Sequence, residues 1–361
     1  MKDASNGSMD SKGPRPLPRG WFSIGFSHEF ARGQVVNRKL AGREMVVYRT
    51  ESGELRAMDP VCPHLGAHFG HGGKVVGETI RCPFHAFRFD GEGACVATGY
   101  ATKPPRARAK MRATIERHGI ALVWNDPTDG PPLWEIPTLD TTGWSELTTH
   151  CFKLRGHPQD TTENSVDIGH FTVVHGYSEV RQLKPLVMDG PYLSARYGMA
   201  RPLEILGRSS LFGKTAMIDA EFELHVHGLG YSFVEVKVKS GGLETRNFVL
   251  STPVDHGDLE LRIAMSLRHV DQTPSAHPLL RAIPRRLAEP LFRQQAFNAY
   301  RHDVEQDFDI WNNMTVIPQP ALAQGDGPII QYRKWATQFY PQIPPPKDPT
   351  LVPRESLVRE S

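Results

Sequence analysis

Apolar and polar positions alternate with a period of two over much of this chain. Phe222, Leu224 and Val226 alternate with Glu223, His225 and His227. That pattern puts one set of side chains on each face of a strand. Between Trp21 and Asp126 the same signal comes in short runs broken by turns. Arg43 to Arg49 reads as a strand, with a turn at Glu51-Ser52-Gly53. Phe87 to Phe89 reads as a strand entering an Asp90-Gly91 hairpin turn, and Gly119 to Trp124 as a buried strand. From Val187 to Val270 the chain is strand-rich again, notably at 233–239, 247–251 and 259–268. Two segments carry helical signals. One is 161–175, preceded by Asp160 as a cap; the other is 290–313, with Pro290 at its start and no internal glycine. This pattern predicts a small all-β domain followed by an α+β domain with an antiparallel sheet and flanking helices. Pro127, Gly130, Pro131 and Pro132 place the junction between 126 and 137. The expected partition is a mobile tail at 1–20, a β domain at 21–130, the α+β domain at 131–345 and a C-terminal tail at 346–361.

Composition narrows the classes. The 361 residues carry a net charge of +2 and are 39% hydrophobic, so no strong field points to nucleic acid or an anionic membrane. The first twenty residues are rich in Ser, Gly, Pro, Asp and Lys. They contain no apolar run, which argues against a signal peptide or anchor. No window of about 18 apolar residues predicts a spanning helix. Four cysteines make no disulfide framework.

The cysteines instead sit in a metal-ligand pattern. Cys62-Pro63-His64 is followed after seventeen residues by Cys82-Pro83-Phe84-His85. Each pair joins one thiolate to one imidazole. A structural zinc more often takes Cys-x2-Cys or His-x3-His pairs. Mixed pairs suit a Rieske [2Fe–2S] cluster, with Cys62 and Cys82 on one iron and His64 and His85 on the other. Nitrogen ligation raises such a cluster's potential to roughly −150 to +300 mV. Thiolate-bound iron also suits a reducing, cytoplasmic compartment. Cys95 and Cys151 are then left as packing residues.

A second site is fainter. His170 and His175 lie five apart, about 140° around a regular helix. They converge only if the helix loosens, through a π-bulge or at its end; Gly169 and the run Thr172-Val173-Val174 favour loosening. Asp303, Glu305, Asp307 and Asp309 precede Trp311. Two histidines and one carboxylate would make the facial triad of non-haem Fe(II). His225 and His227 share a strand face without a third ligand and read as surface or pocket lining. Arg281, Arg285 and Arg286 form a small basic cluster, solvated or suited to an acidic partner.

Together these motifs resemble the α subunit of Rieske non-haem iron oxygenases. They are Cys62-x-His64 with Cys82-x2-His85, Asn164-x2-Asp167-x2-His170-x4-His175, and Asp307-x3-Trp311. The resemblance spans roughly 21–340. It implies a helix-grip-like catalytic domain and a mononuclear Fe(II) held by His170, His175 and Asp307, with Asp303 in reserve. It also implies a homotrimer in which the cluster of one subunit faces the iron of the next. Asp167 would bridge His85 to His170 there, giving it a catalytic role. No Gly-x-Gly-x2-Gly fingerprint is present, so electrons would come from a separate ferredoxin or ferredoxin reductase. The cluster loop and the stretch from Gly325 to Tyr340 are similar to the steroid and sterol branch, which includes ketosteroid 9α-hydroxylases and cholesterol 7-desaturases. The resemblance thus implies hydroxylation or desaturation of a bulky apolar substrate, without the membrane segment of animal desaturases. An aromatic or alkaloid substrate is the alternative, and a non-catalytic Rieske electron carrier is the alternative from another class.

Overall fold

The computed structural model describes residues 15–202, 210–211, 214–215, 217–239, 243–268 and 285–341. The N-terminal half consists of eleven short strands among these residues. They are β1 (Gly20–Phe26), β2 (Val35–Leu40), β3 (Arg43–Arg49), β4 (Leu55–Met58), β5 (Lys74–Val76), β6 (Thr79–Arg81), β7 (Arg88–Phe89), β8 (Cys95–Ala97), β9 (Met111–Arg112), β10 (Thr114–Arg117) and β11 (Ile120–Asn125). They form three antiparallel sheets, ordered β1-β11-β10, β2-β3-β4-β9 and β5-β6-β7-β8. The loops from β4 to β5 and from β6 to β7 carry the two Cys/His pairs.

The second half is built on β12 (Thr148–Arg155), followed by α1 (Pro158–Glu163) and α2 (Ile168–Val173). Then come β13 (Ser178–Asp189), β14 (Tyr192–Pro202), the two-residue strands β15 (Ser210–Leu211) and β16 (Lys214–Thr215), β17 (Met217–His227), β18 (Tyr231–Val238), β19 (Glu244–Asp255) and β20 (Asp258–Leu267). Seven of them make one antiparallel sheet, β12-β20-β19-β18-β17-β14-β13. The helices α3 (Arg285–Glu305), α4 (Phe308–Asn313) and α5 (Ile329–Ala336) complete the chain. Phe297, Tyr300 and Val304 of α3, with Trp311 of α4, pack on Leu261, Ile263 and Met265 of β20. The α+β expectation is met: one sheet face is covered by helices.

The other face joins the halves. Trp21, Leu122 and Trp124 share a core with Tyr231, Phe233 and Phe248. Gly230 is required there, because a Cβ would fall 2.4 Å from the Trp21 carbonyl oxygen. The turn-rich 126–147 segment is a packed connection, pinned where the Trp21 indole donates to the Trp134 carbonyl at 2.8 Å. Removing one large ring from such a shared core costs about 3–5 kcal/mol.

Several sequence expectations are corrected. Residues 15–20 do not belong to a mobile tail. Arg15 pairs with Asp160, Asn125 donates to the Pro18 carbonyl at 2.8 Å, and Arg19 pairs with Asp126 at 2.7 Å. The helix expected over 161–175 is two helices, since the chain breaks at 164–167. His157, not Asp160, caps the first, and Pro158 occupies its first turn. The late helix begins before Pro290, which lies inside it, and it breaks at Gln306–Asp307. Cys151 is exposed rather than packed, whereas Cys95 lies against the β-domain core. Arg281, residues 1–14 and the 346–361 tail lie outside the described residues, as do the side chains of Arg285 and Arg286.

Candidate metal centres

The two cluster loops fold by the same local rule. Cys62 N–H donates to the Ala67 carbonyl and Cys82 N–H to the Phe87 carbonyl, both at 2.8 Å. Four residues after each cysteine the backbone turns left-handed, at Gly66 (φ 78°) and Ala86 (φ 56°). Each loop therefore closes on itself five residues beyond its cysteine, and both cysteines are buried. Burial, aided by the neighbouring Cys82, pushes the Cys62 thiol up to about 11. His64 stacks on Phe87 (4.1 Å between centroids, 9° between planes) and meets His85 edge-on at 4.9 Å. The His85 Nδ1 is buried and has no hydrogen-bond partner. Uncompensated buried polar atoms are costly. Two adjacent buried sulfurs and an orphaned imidazole nitrogen are what a two-iron cluster ligated by thiolates and imidazoles would satisfy. Leu65, Phe84 and Tyr100 stand exposed around this tip.

The second site is assembled from two helix interruptions. Asp167, at ψ 102°, breaks the path between α1 and α2 and caps α2, its Oδ1 accepting from His170 N–H at 3.2 Å. The helix then ends at Val173, and Gly176 turns left-handed at φ 65°. His175 therefore lies past the helix end, which settles how the pair converges: by termination, without a π-bulge. The two rings are 5.1 Å apart at 74°. Across from them, the break between α3 and α4 presents Gln306 and Asp307. His175 Nε2 lies 3.7 Å from Asp307 Oδ2. One ligand atom from each of His170, His175 and Asp307 falls within 4.8 Å of the others.

Hydrogen bonds fix how the imidazoles face. His170 Nδ1–H donates to the Asp167 carbonyl at 2.5 Å, and His175 Nδ1–H donates to Gln306 Oε1 at 2.8 Å. Both Nε2 atoms are left free for a cation. Burial, with the neighbouring His175 charge, holds His170 down to about 4, so its ring is neutral and ligand-ready near pH 7. Burial pushes Asp307 up to about 6 against the opposing effects of His175 and the Asn164 amide. A buried acid beside two imidazoles gains its missing counter-charge when a divalent cation binds. The donor set fits a facial-triad iron.

The remaining acids lie outside this set. Asp303, the reserve candidate, accepts from the Tyr177 hydroxyl at 3.0 Å and from Arg201 at 2.7 Å. Glu305 pairs with Arg301 at 2.6 Å, and Asp309 is exposed. Asp167 lends His170 its backbone carbonyl, while its carboxylate stands 3.9 Å from that ring nitrogen and stays about a third exposed. Burial raises its pKa. His225 bonds to the Tyr192 hydroxyl at 2.8 Å and stacks on Phe233, away from the triad. Sequence reading assigned no role to Gln306 or to the Tyr177–Asp303–Arg201 network. Neither has a periodic or motif signal, because each depends on a contact across the fold.

Residues 20–111 match the Rieske [2Fe-2S] domain family, and residues 123–340 match the 3-ketosteroid 9alpha-hydroxylase C-terminal domain family. The chain belongs to the Rieske oxygenase components, in the branch defined by that C-terminal domain. A 3-ketosteroid-9-alpha-monooxygenase oxygenase component of Rhodococcus rhodochrous is 28% identical over 91% of this chain and 83% of its own. A cholesterol 7-desaturase of Bombyx mori is 31% identical over 92% of this chain and 71% of its own. Dicamba monooxygenase bound to 3,6-dichlorosalicylic acid shares the fold, with a TM-score of 0.65 and 16% identity over 91% of this chain and 98% of that one. NdmA of Pseudomonas putida CBB5 shares it too, with a TM-score of 0.63 and 18% identity over 88% of each chain. The protein is thus an oxidoreductase, the oxygenase component of a Rieske [2Fe–2S] system that works with a separate electron donor. No helix among the described residues is long and apolar enough to cross a membrane.

Proposed function

We propose that this oxygenase component hydroxylates or desaturates a steroid or sterol. Cys62, His64, Cys82 and His85 hold the cluster, and His170, His175 and Asp307 hold the iron. The observation that carries the site assignment is the convergence of those three side chains from two separate helix breaks. When bound, the two groups supply one-electron storage and dioxygen activation. The protein's own part is to hold and orient. Phe171, Tyr177, Tyr197, Met199, Phe222 and Leu224 form an apolar cluster beside the triad that keeps water from it. The ketosteroid and sterol substrates named for the relatives support the substrate class.

The exposed apolar tip at Leu65, Phe84 and Tyr100, and the exposed Val173 and Ile310 near the triad, suit apposition of neighbouring subunits in a homotrimer. In that arrangement the Asp167 carboxylate, about a third exposed, accepts from His85 of the neighbouring subunit and links the two centres. A ferredoxin-type protein supplies the electrons, and the enzyme works in the reducing cytoplasm. The reading is tested by incubating the enzyme and a surrogate reductase with a panel of sterols, ketosteroids, aromatic compounds and alkaloids, followed by mass spectrometry. Oxidised product from the panel supports it; turnover confined to aromatic or alkaloid compounds overturns the substrate class. Iron analysis separates the enzyme, at about three irons per chain, from an electron carrier, at about two. Asp167→Asn should slow reduction of the iron without emptying either site, and an unchanged rate removes the bridging role.

A further inference from the structure

We infer that Gln306 is a positioning residue for the iron site: its side-chain carbonyl locks His175 into the tautomer and orientation that the metal needs. The inference rests on the ligand assignment above. Gln306 and Asp307 are adjacent, and both fall in the interruption between α3 and α4. One helix break thus delivers two functions. Asp307 approaches His175 from the Nε2 side, at 3.7 Å, while Gln306 Oε1 accepts from Nδ1 at 2.8 Å. Consecutive residues of a distant segment thus face both nitrogens of the imidazole, one bonding Nδ1 and the other standing 3.7 Å from Nε2. The carbonyl oxygen only accepts, so the proton resides on Nδ1 and the Nε2 lone pair faces the triad.

The two histidines are held differently. His170 gives its Nδ1 proton to a backbone carbonyl three residues earlier, on its own capping turn. His175 lies beyond the end of α2, after which the chain turns left-handed at Gly176. It has no such local partner, and its ring is fixed by a side chain 131 positions away. Gln306 is therefore the replaceable part of the support, whereas the His170 support belongs to the backbone. Outer partners of metal-bound histidines commonly set affinity by 10- to 100-fold. A neutral amide also leaves the imidazole less electron-rich than a carboxylate would.

The test is a Co(II) titration of the full-length protein with its cluster intact and the mononuclear site emptied, with Co(II) absorption as the readout and no turnover required. Gln306→Leu should weaken Co(II) binding by about 10- to 100-fold while the cluster's visible absorbance and the melting temperature stay put. Gln306→Glu keeps an acceptor, so it should restore binding to the wild-type level or tighter, with a shifted Co(II) spectrum. Wild-type affinity in Gln306→Leu overturns the inference. So does equal loss in both variants, since that indicates a space-filling role only, and the Glu arm still decides if the Leu variant folds poorly. Failure of the wild-type protein itself to bind Co(II) would overturn the ligand assignment instead.

Discussion

The two metal centres are built in opposite ways. The cluster loops are local devices. Each cysteine closes a bond to the residue five positions on and is followed by a left-handed turn at the fourth, so the sequence alone nearly dictates the loop. The proposed iron site joins helix breaks more than 130 residues apart in sequence: His170 is held on its own capping turn, but His175 and Asp307 meet only across the fold. A local site reveals itself by spacing. A composite site depends on helices stopping at the right residues, and small changes in the supporting segments can dissolve it.

The sharpest way to break the comparison is Asp307→Ala. It should abolish turnover and mononuclear iron while leaving the cluster's absorbance intact; iron content that stays at the wild-type value would remove Asp307 from the triad. The converse is Gly99→Ala. A Cβ there would fall 2.3 Å from the His85 carbonyl oxygen. Overpacking of this kind costs about 1–3 kcal/mol. The variant should lose cluster absorbance in proportion while still binding iron at the distant triad, and equal loss at both centres would show that they do not fold independently.

Acid should separate the regions next. Burial holds His157, the cap of α1, down to about 4 from an ordinary 6.5. Its Nδ1 accepts from Gln159 N–H and its Nε2 faces the Pro16 carbonyl, so protonation removes the cap. The folded value is depressed, so the stability it contributes is complete above pH 6.5 and is lost as the pH falls towards 4. Its share of the unfolding free energy, read from urea titrations, should therefore fall by about 2 kcal/mol between pH 7 and 4.5, beside the shares of His118, His170 and His227, which burial likewise holds down to about 4. His157→Gln should flatten the profile by that share, and an unflattened profile would place the acid sensitivity elsewhere. The smallest effect expected is that of Asp303→Asn. It weakens the bonds from Arg201 and Tyr177 and should lower stability by about 1 kcal/mol, yet keep three irons per chain. Loss of one iron would return Asp303 to the ligand set.

Much of the fold was legible. Period-two alternation at 222–227 predicted β17, and the short β runs before Asp126 predicted a strand-only first half. The helix boundaries were misread, for a shared reason. At 306–307 no glycine or proline marks the stop, and at 164–167 the run Asn-Ser-Val-Asp favours a cap over a helix interior; both interruptions fall where the chain aims Asp167, Gln306 and Asp307 at partners. Residues 15–20 share the polar, Pro- and Gly-rich composition that marks 1–20 as a tail, and Arg15 and Arg19 meet Asp160 and Asp126 only in the fold.

By itself the sequence determined the chemistry available: two thiol–imidazole pairs in self-closing loops, alternating strands, and a pair of histidines preceding an acidic run. It could do so because strand periodicity and loop closure are set by neighbours a few residues away. Only the tertiary structure decided which of four acids meets those histidines, how their rings are turned, and that the two halves share one aromatic core. Those outcomes depend on burial and on hydrogen bonds between segments far apart in the chain, where no local pattern constrains the partner.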